Sequence, residues 1–430
     1  MLVMFSLLCL IMALIGWLFY RFAFNPISSM FFLWAVIVPL SGLGLYGTMI
    51  PQEKAYWIIA IGLIAYTAGV VFGSKKIRLS LRPRYDQGAV VGYRVNYRFL
   101  SIIIIISLLY YLVQSYNVAR VLLSGKTYAD IRAMVAANEE NALRSSRLMS
   151  VTRAFIAVPT TYLSIAILPI EIFYGKKNKL FILESLLLMV LFVFTNGARS
   201  VILWIAIYFV CVYLAYRKKH SFSFKIGKKY KRIIILGGIL LFIMLFYMTI
   251  FRKGRNVDFG RQLFVYFIAP IPHFSHYIDV VDYSGQFGYG ISSFYGFLYP
   301  FLYFFKLLTG YFSSFVTDIY YMSFEMMEPG FNLGHELYMN AFVTIFYQPY
   351  LDGRFVGVVL ILMVFGYMCS QTYKKGIEDE NLKSMLLYLL LLQKILFSFV
   401  RFYFTQQAQA MCFIFALFAI SRVYTYREIR

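Results

Sequence analysis

The 430-residue chain is 61% hydrophobic and only 14% charged, against about 25% charged residues in an ordinary soluble domain, which excludes a water-soluble globule and makes the bilayer its main solvent. Its formal charge of +22 is spread in short runs between apolar stretches, not gathered in one patch, which excludes nucleic acid as a partner and fits cytoplasmic membrane loops. The four cysteines, Cys9, Cys211, Cys369 and Cys412, lie inside apolar stretches at spacings that suit neither a metal site nor a disulfide framework.

Residues 1–20 are apolar, and the first basic residue, Arg21, follows them. A secretory signal needs basic residues ahead of its apolar core, so this stretch reads as a retained first span with its N-terminus outside. Further runs long enough to cross a bilayer lie near 28–50, 55–73, 99–117, 151–174, 180–195, 200–216, 233–251, 355–373, 384–404 and 408–425. The predicted fold is therefore all-α, a polytopic transmembrane helix bundle of roughly eleven spans or more in one integral membrane domain, 1–430.

The loops orient the bundle. Segment 74–98 holds Lys75, Lys76, Arg78, Arg82, Arg84, Arg94 and Arg98 against the single acid Asp86, and 217–232 is dense in Lys and Arg with no acid. Lys176, Lys177 and Lys179 mark a third basic turn, and Lys374, Lys375 and Lys383 a fourth. With these four inside, loops 118–150 and 252–354 face outside, and the positive-inside rule holds throughout. The long outer loop 252–354 is too aromatic for a flexible linker. Its apolar stretches are broken by Pro270, Pro272 and Pro300 and read as re-entrant or interfacial helices, or as an extra pair of spans.

Chemistry is sought on the outer side. Thr195-Asn196-Gly197-Ala198-Arg199-Ser200 is a tight turn that places Arg199 at the start of the next helix, where backbone N–H groups and the helix dipole favour an anion; a helix-end arginine reaching to the interface is the plainer alternative. Arg252, Lys253, Arg255 and Arg261 form an outer cationic cluster, suited either to phospholipid headgroups or to a pyrophosphate. His273, His276 and Asp279 have a weak metal-like spacing, for which polar contacts within the segment are the better explanation. His335, Glu336 and Asn340 suggest the wet face of a helix, with His335 suited by residue type to proton transfer and Glu336 as the alternative base. Lys394 and Arg401 fall in the tenth span, Arg401 near its outer end; buried Lys394 needs a partner, for which Glu184 and Glu171 are the guesses.

Three groups of residues make the chain resemble the Wzy-type O-antigen or capsular repeat-unit polymerases and, more distantly, the O-antigen ligases of the same superfamily. They are the T-x-G-x-R-S turn from Thr195 to Ser200, the pair Gly288-Tyr289-Gly290, and His335-x-x-Tyr338 followed by Asp352-Gly353 and Gly357. The resemblance implies a membrane glycosyltransferase of polysaccharide (lipopolysaccharide) biosynthesis in the bacterial inner membrane, active on its periplasmic face. It would transfer a growing glycan from undecaprenyl pyrophosphate to the sugar of the next lipid-linked repeat unit. No metal or other cofactor is implied, and the implied partners are the lipid-linked oligosaccharides, membrane lipids and a chain-length regulator. His335, with Glu336 as second choice, would be the base, and Arg199, Arg255 and Arg261 would face the pyrophosphate. Arg354, Tyr338, Asn340 and Arg401 would hold glycan or phosphate. A lipid-linked oligosaccharide flippase or other transporter is the main alternative; the absence of an evident internal repeat and the large outer loop argue against it. An O-antigen ligase is the other.

Overall fold

The structure is a computed structural model that describes residues 2–74, 89–126, 147–196, 200–220, 259–335, 337–340 and 342–426. Among them it is nearly all helix, and eight helices are long and apolar enough to cross a membrane. The chain is thus a helical membrane protein.

Several predicted spans differ in detail. The second is a helix of 16 residues, α2 (Pro26–Ser41), following α1 (Leu2–Tyr20). At 1.5 Å per residue it is about 24 Å long, short of a hydrocarbon core of about 30 Å; the run Gly42-Leu43-Gly44 ends it before residue 50. The tenth stops at Leu396 and the eleventh is Gln407–Ala419 followed by an extended strand, Ile420–Tyr426. The predicted span 233–251 lies outside the described residues. The long loop contains an additional apolar helix of crossing length, Ile291–Thr309.

The chain forms two compact units. One comprises 92–258 and 411–423, and its long helices are α3 (Tyr97–Leu123), α4 (Val158–Phe173), α5 (Lys179–Asn196) and α6 (Ser200–Lys219). Its interior combines aromatic rings, Tyr111 edge-on to Phe192 and Tyr162 edge-on to Trp204, with buried Thr160, Thr161 and Ser164. Glu171 is fully buried and accepts from the Tyr97 hydroxyl (2.7 Å) and the Asn178 amide (2.9 Å).

The other unit comprises 1–91, 259–410 and 424–430 and carries the long loop. Its spine is a pair of parallel helices, α7 (Glu53–Ser74) and α8 (Tyr347–Tyr373). Small residues let their backbones touch: a Cβ on Gly69 would overlap the Met363 carbonyl, and one on Gly366 the Tyr66 carbonyl. Gly69-x-x-x-Gly73 is the small-residue spacing that membrane helices use for such approaches. Two basic loops begin at the same end of this pair, where Lys374 Nζ donates to Ser74 O at 3.0 Å and Gln371 Nε2 to Gly73 O at 2.7 Å. The opposite end meets the loop helix α9 (Pro270–Ser284). Gly69→Ala is expected to destabilise this unit by about 1–3 kcal/mol through overpacking against a rigid carbonyl. A lower thermal unfolding midpoint in detergent checks this, and an unchanged midpoint would contradict the close approach.

Beside the spine the chain leaves helical geometry. Residues 343–345 hydrogen-bond to the turn 397–400, with Val343 N–H on Val400 O (2.8 Å) and Ile345 N–H on Ser398 O (2.6 Å). Phe346, which follows, packs on Gly62, nine residues into α7 and so about 14 Å along it. Irregular backbone at such depth is tolerated because protein groups satisfy it: Trp34 Nε1 bonds Ser398 Oγ (3.0 Å), and Gln348 Oε1 accepts from Phe402 N–H (3.2 Å). These bonds explain why residues 397–406 do not continue the tenth span.

Candidate functional site

The helix expected around His335 is instead a β-hairpin, in which Phe331–Asn332 pairs with Tyr338–Met339. Burial alternates as in a strand. Leu333, Leu337 and Met339 pack with Ala269 while His335, Tyr338 and Asn340 face out. His335 stands at the tip with a positive φ of 42°, uncommon for a residue other than glycine. Its ring lies over Gly47, where a Cβ would overlap Cδ2, and Met49 N–H anchors the hairpin on Leu333 O at 2.7 Å. Arg261, on the helix α10 (Phe259–Phe267), donates Nη2 to His335 O at 3.1 Å. Two predicted site residues, Arg261 and His335, are therefore together.

Next to them runs an apolar groove of about 950 Å³ between α1, α2 and α10. Trp17, Phe32, Leu40 and Leu263 are among its lining residues, and so are Tyr46 and Gly260, the chain neighbours of Gly47 and Arg261.

Arg354 belongs to a second cluster. The Asp282 carboxylate accepts from Lys54 Nζ in a short ion pair and from Tyr350 OH at 2.8 Å, and lies 3.3 Å from Arg354 Nε. Arg354 Nη2 donates to Val281 O at 2.7 Å, and the ring of Phe287 lies 4.6 Å from the guanidinium carbon. Lys54 and Asp282 had no signal in the sequence to pair them.

The sequence motifs Gly288-Tyr289-Gly290 and Asp352-Gly353 with Gly357 converge on one junction. Asp352 is buried and accepts from the amides of Ser292 (2.9 Å) and Ser293 (2.8 Å), the first turn of the helix α11 (Ile291–Thr309). Gly288 N–H bonds Leu351 O (3.0 Å) and Tyr289 N–H bonds Asp352 O (3.0 Å). A Cβ on Gly288 would overlap Asp352 Oδ1, and one on Gly357 the Pro349 carbonyl. These motif residues are architectural: they cap α11 and fix the bend in α8 at Gly353 and Arg354.

Arg401 occupies a third place. It forms an isolated backbone bridge with Thr344 and lies 5.7 Å from the Phe324 ring. Buried Lys394 donates to Gln409 Oε1 (3.2 Å) and Leu390 O (3.3 Å) and faces Phe404. Arg199, Arg255 and Glu336 lie outside the described residues. Asn196, at the end of α5, accepts through Oδ1 from Arg153 Nη2 at 3.3 Å, a cation that the motif from Thr195 to Ser200 does not reveal.

No group of three metal-binding side chains occurs among the described residues. His273 is buried with Nδ1 2.8 Å from Phe342 O, His276 stacks on Phe331 with centroids 3.8 Å apart, and Asp279 accepts from Gln52 Nε2 at 2.6 Å. Burial pushes His273 down to about 4 and lowers His276 as well. Below the ordinary histidine value of 6.5 the unfolded chain takes up a proton that the folded chain refuses. Stability is therefore expected to fall as pH drops from 6.5 toward 4, by up to about 3 kcal/mol for His273. Unfolding midpoints at pH 7.5 and 4.5 check this; a wild-type loss no larger than that of His273→Gln would contradict it.

The chain matches no family model, no curated protein and no solved structure.

Proposed function

We propose that this protein is a membrane glycosyltransferase that polymerises oligosaccharide repeat units carried on undecaprenyl pyrophosphate, as Wzy-type polymerases do. The observation that carries the proposal is the pairing of Arg261 and exposed His335 beside an apolar groove of about 950 Å³. A substrate that joins a polyprenyl chain to a pyrophosphate and a sugar asks for that combination: an apolar channel, a cation at its mouth and a base beyond it.

In this reading the acceptor sugar hydroxyl gives its proton to His335 and attacks the anomeric carbon of the donor glycan. The bond from that carbon to the pyrophosphate oxygen breaks, and the lipid pyrophosphate leaves with the bonding pair. Arg261 meets the charge that develops on it, with Arg199 and Arg255 as the further expected cations; Glu336 is the second candidate for the base. Exposed Tyr338 and Asn340, on the same hairpin as His335, hold saccharide. Arg354 and Arg401 contact glycan or phosphate. The finer topology belongs to the same proposal: eleven or more spans in the bacterial inner membrane, the N-terminus and segment 252–354 on the periplasmic side, and a chain-length regulator as partner.

Deletion of the gene in its host tests this on a gel of surface polysaccharide. The expected result is a single capped repeat unit without the long ladder, restored by the wild-type gene. Loss of all polysaccharide, with lipid-linked repeats retained on the cytoplasmic side, would identify a flippase. Long lipid-linked chains that never reach lipid A would identify a ligase. An unchanged ladder would refute the polymerase for that glycan.

A further inference from the structure

The second cluster has properties that its packing does not require. Two cations, Lys54 and Arg354, share one carboxylate, Asp282, leaving an excess positive charge. Arg354 Nη1 is buried and has no hydrogen-bond partner, although Nε and Nη2 are engaged. An unsatisfied guanidinium N–H is costly and asks for an acceptor.

The backbone points the same way. Arg354 has φ 52° and ψ −137°, and Tyr289, across the junction, has φ 48°. Both are bulky residues in left-handed conformations, while glycines stand beside them at 288, 290 and 353. Such strain persists where the surrounding structure over-determines it, and it gathers at ligand sites. Here the junction around Asp352 holds both backbones, leaving the Tyr289 ring exposed and the Arg354 guanidinium mostly buried beneath Phe287.

Aromatic rings continue from Arg354 to the exposed surface. Phe287 lies over the guanidinium and stacks with Tyr289 at 6.1 Å, and Tyr289 meets Phe315 at 6.4 Å. Tyr289 is 79% exposed, Phe315 42% and Phe287 39%. A row of exposed aromatic faces that ends on an unsatisfied guanidinium is complementary to a pyranose carrying a carboxylate, since rings stack on the sugar face and the guanidinium takes the acid in charge-assisted bonds.

We propose that Arg354, Lys54 and the rings of Phe287, Tyr289 and Phe315 form a saccharide subsite selective for an acidic sugar, a uronic acid residue of the repeat unit. Phe287 swings aside on binding and presents Nη1 to the carboxylate, while Asp282 and Tyr350 hold the two cations in register. The inference rests on the glycosyltransferase reading for the ligand's place in a growing chain, but it concerns binding alone.

The test is equilibrium binding of a short oligogalacturonate, and of the same oligosaccharide fully methyl-esterified, to the full-length protein in nanodiscs. The free acid is expected to bind at least about tenfold tighter than the ester, because esterification removes charge-assisted bonds and little else. Arg354→Ala is expected to bring the acid to the ester's level, and Tyr289→Ala to weaken both forms by the same factor. If Arg354→Ala does not fold, Lys54→Ala reads the same charge dependence. Equal binding of acid and ester, no binding of either, or an acid preference that survives these cation variants would overturn the subsite; indifference to Tyr289→Ala would also overturn it and leave the rings as part of the membrane interface. Selective binding without polymerisation would keep the subsite and refute the polymerase; polymerisation without acid preference would do the reverse.

Discussion

His335→Ala is expected to lower polymerisation by about 10²- to 10⁴-fold, the usual contribution of a positioned general base. The hairpin should survive the change. His335 is exposed at its tip, while the buried residues Leu333, Leu337 and Met339 and the Met49–Leu333 backbone bond hold the hairpin in place. Gly47→Ala separates position from chemistry. It keeps the imidazole but puts a methyl group where Cδ2 lies, so a large part of the rate should be lost with His335 intact. Initial rates of each variant, measured on protein shown to be folded by its unfolding midpoint, check both outcomes. Full activity in His335→Ala would move the base elsewhere, with Glu336 next in line.

Asp352→Ala is expected to cost about 3 kcal/mol of stability. The side chain is buried, and its two oxygens satisfy the amides of Ser292 and Ser293, both themselves buried. Truncation leaves two buried N–H groups without acceptors, each worth about 1–3 kcal/mol. It also removes the negative charge at the N-terminus of α11. Asp352→Asn should be milder, because its amide oxygen still accepts one bond. The check is the thermal unfolding midpoint in detergent; if Asp352→Ala melts with wild type, the junction is not held in this way. An Asp352→Ala protein that folds but loses only activity would instead place Asp352 among the reacting groups.

Composition and apolar run length were enough to read a helical membrane protein, and the long helices of α1, α3, α5, α6, α7 and α8 lie where hydropathy put them. The failures have physical causes. Residues 397–406 are apolar enough for a span but exchange hydrogen bonds with a segment more than fifty residues upstream, which no window of hydropathy registers. The hairpin at 331–339 has only two residues in each strand, too few for a period of two to stand out against a helix. The ion pair of Lys54 and Asp282 joins residues 228 apart. By contrast, the close approach of α7 and α8 is legible in the small-residue spacing Gly69-x-x-x-Gly73. The glycine and aspartate motifs drew attention as signs of chemistry, and they mark the junction that bends α8 and caps α11. Of the predicted site, sequence singled out Arg261 and His335 separately, and folding brings them into contact.

The most direct measurement is made on the purified full chain in proteoliposomes, supplied with one lipid-pyrophosphate-linked repeat unit and no nucleotide sugar. Products are separated and weighed by mass spectrometry. Lipid-linked dimers and longer chains are expected, with one lipid pyrophosphate released per new glycosidic bond, and neither product from His335→Ala. Folded wild-type protein that forms no new glycosidic bond, or that only moves the repeat unit across the bilayer, would contradict the polymerase proposal.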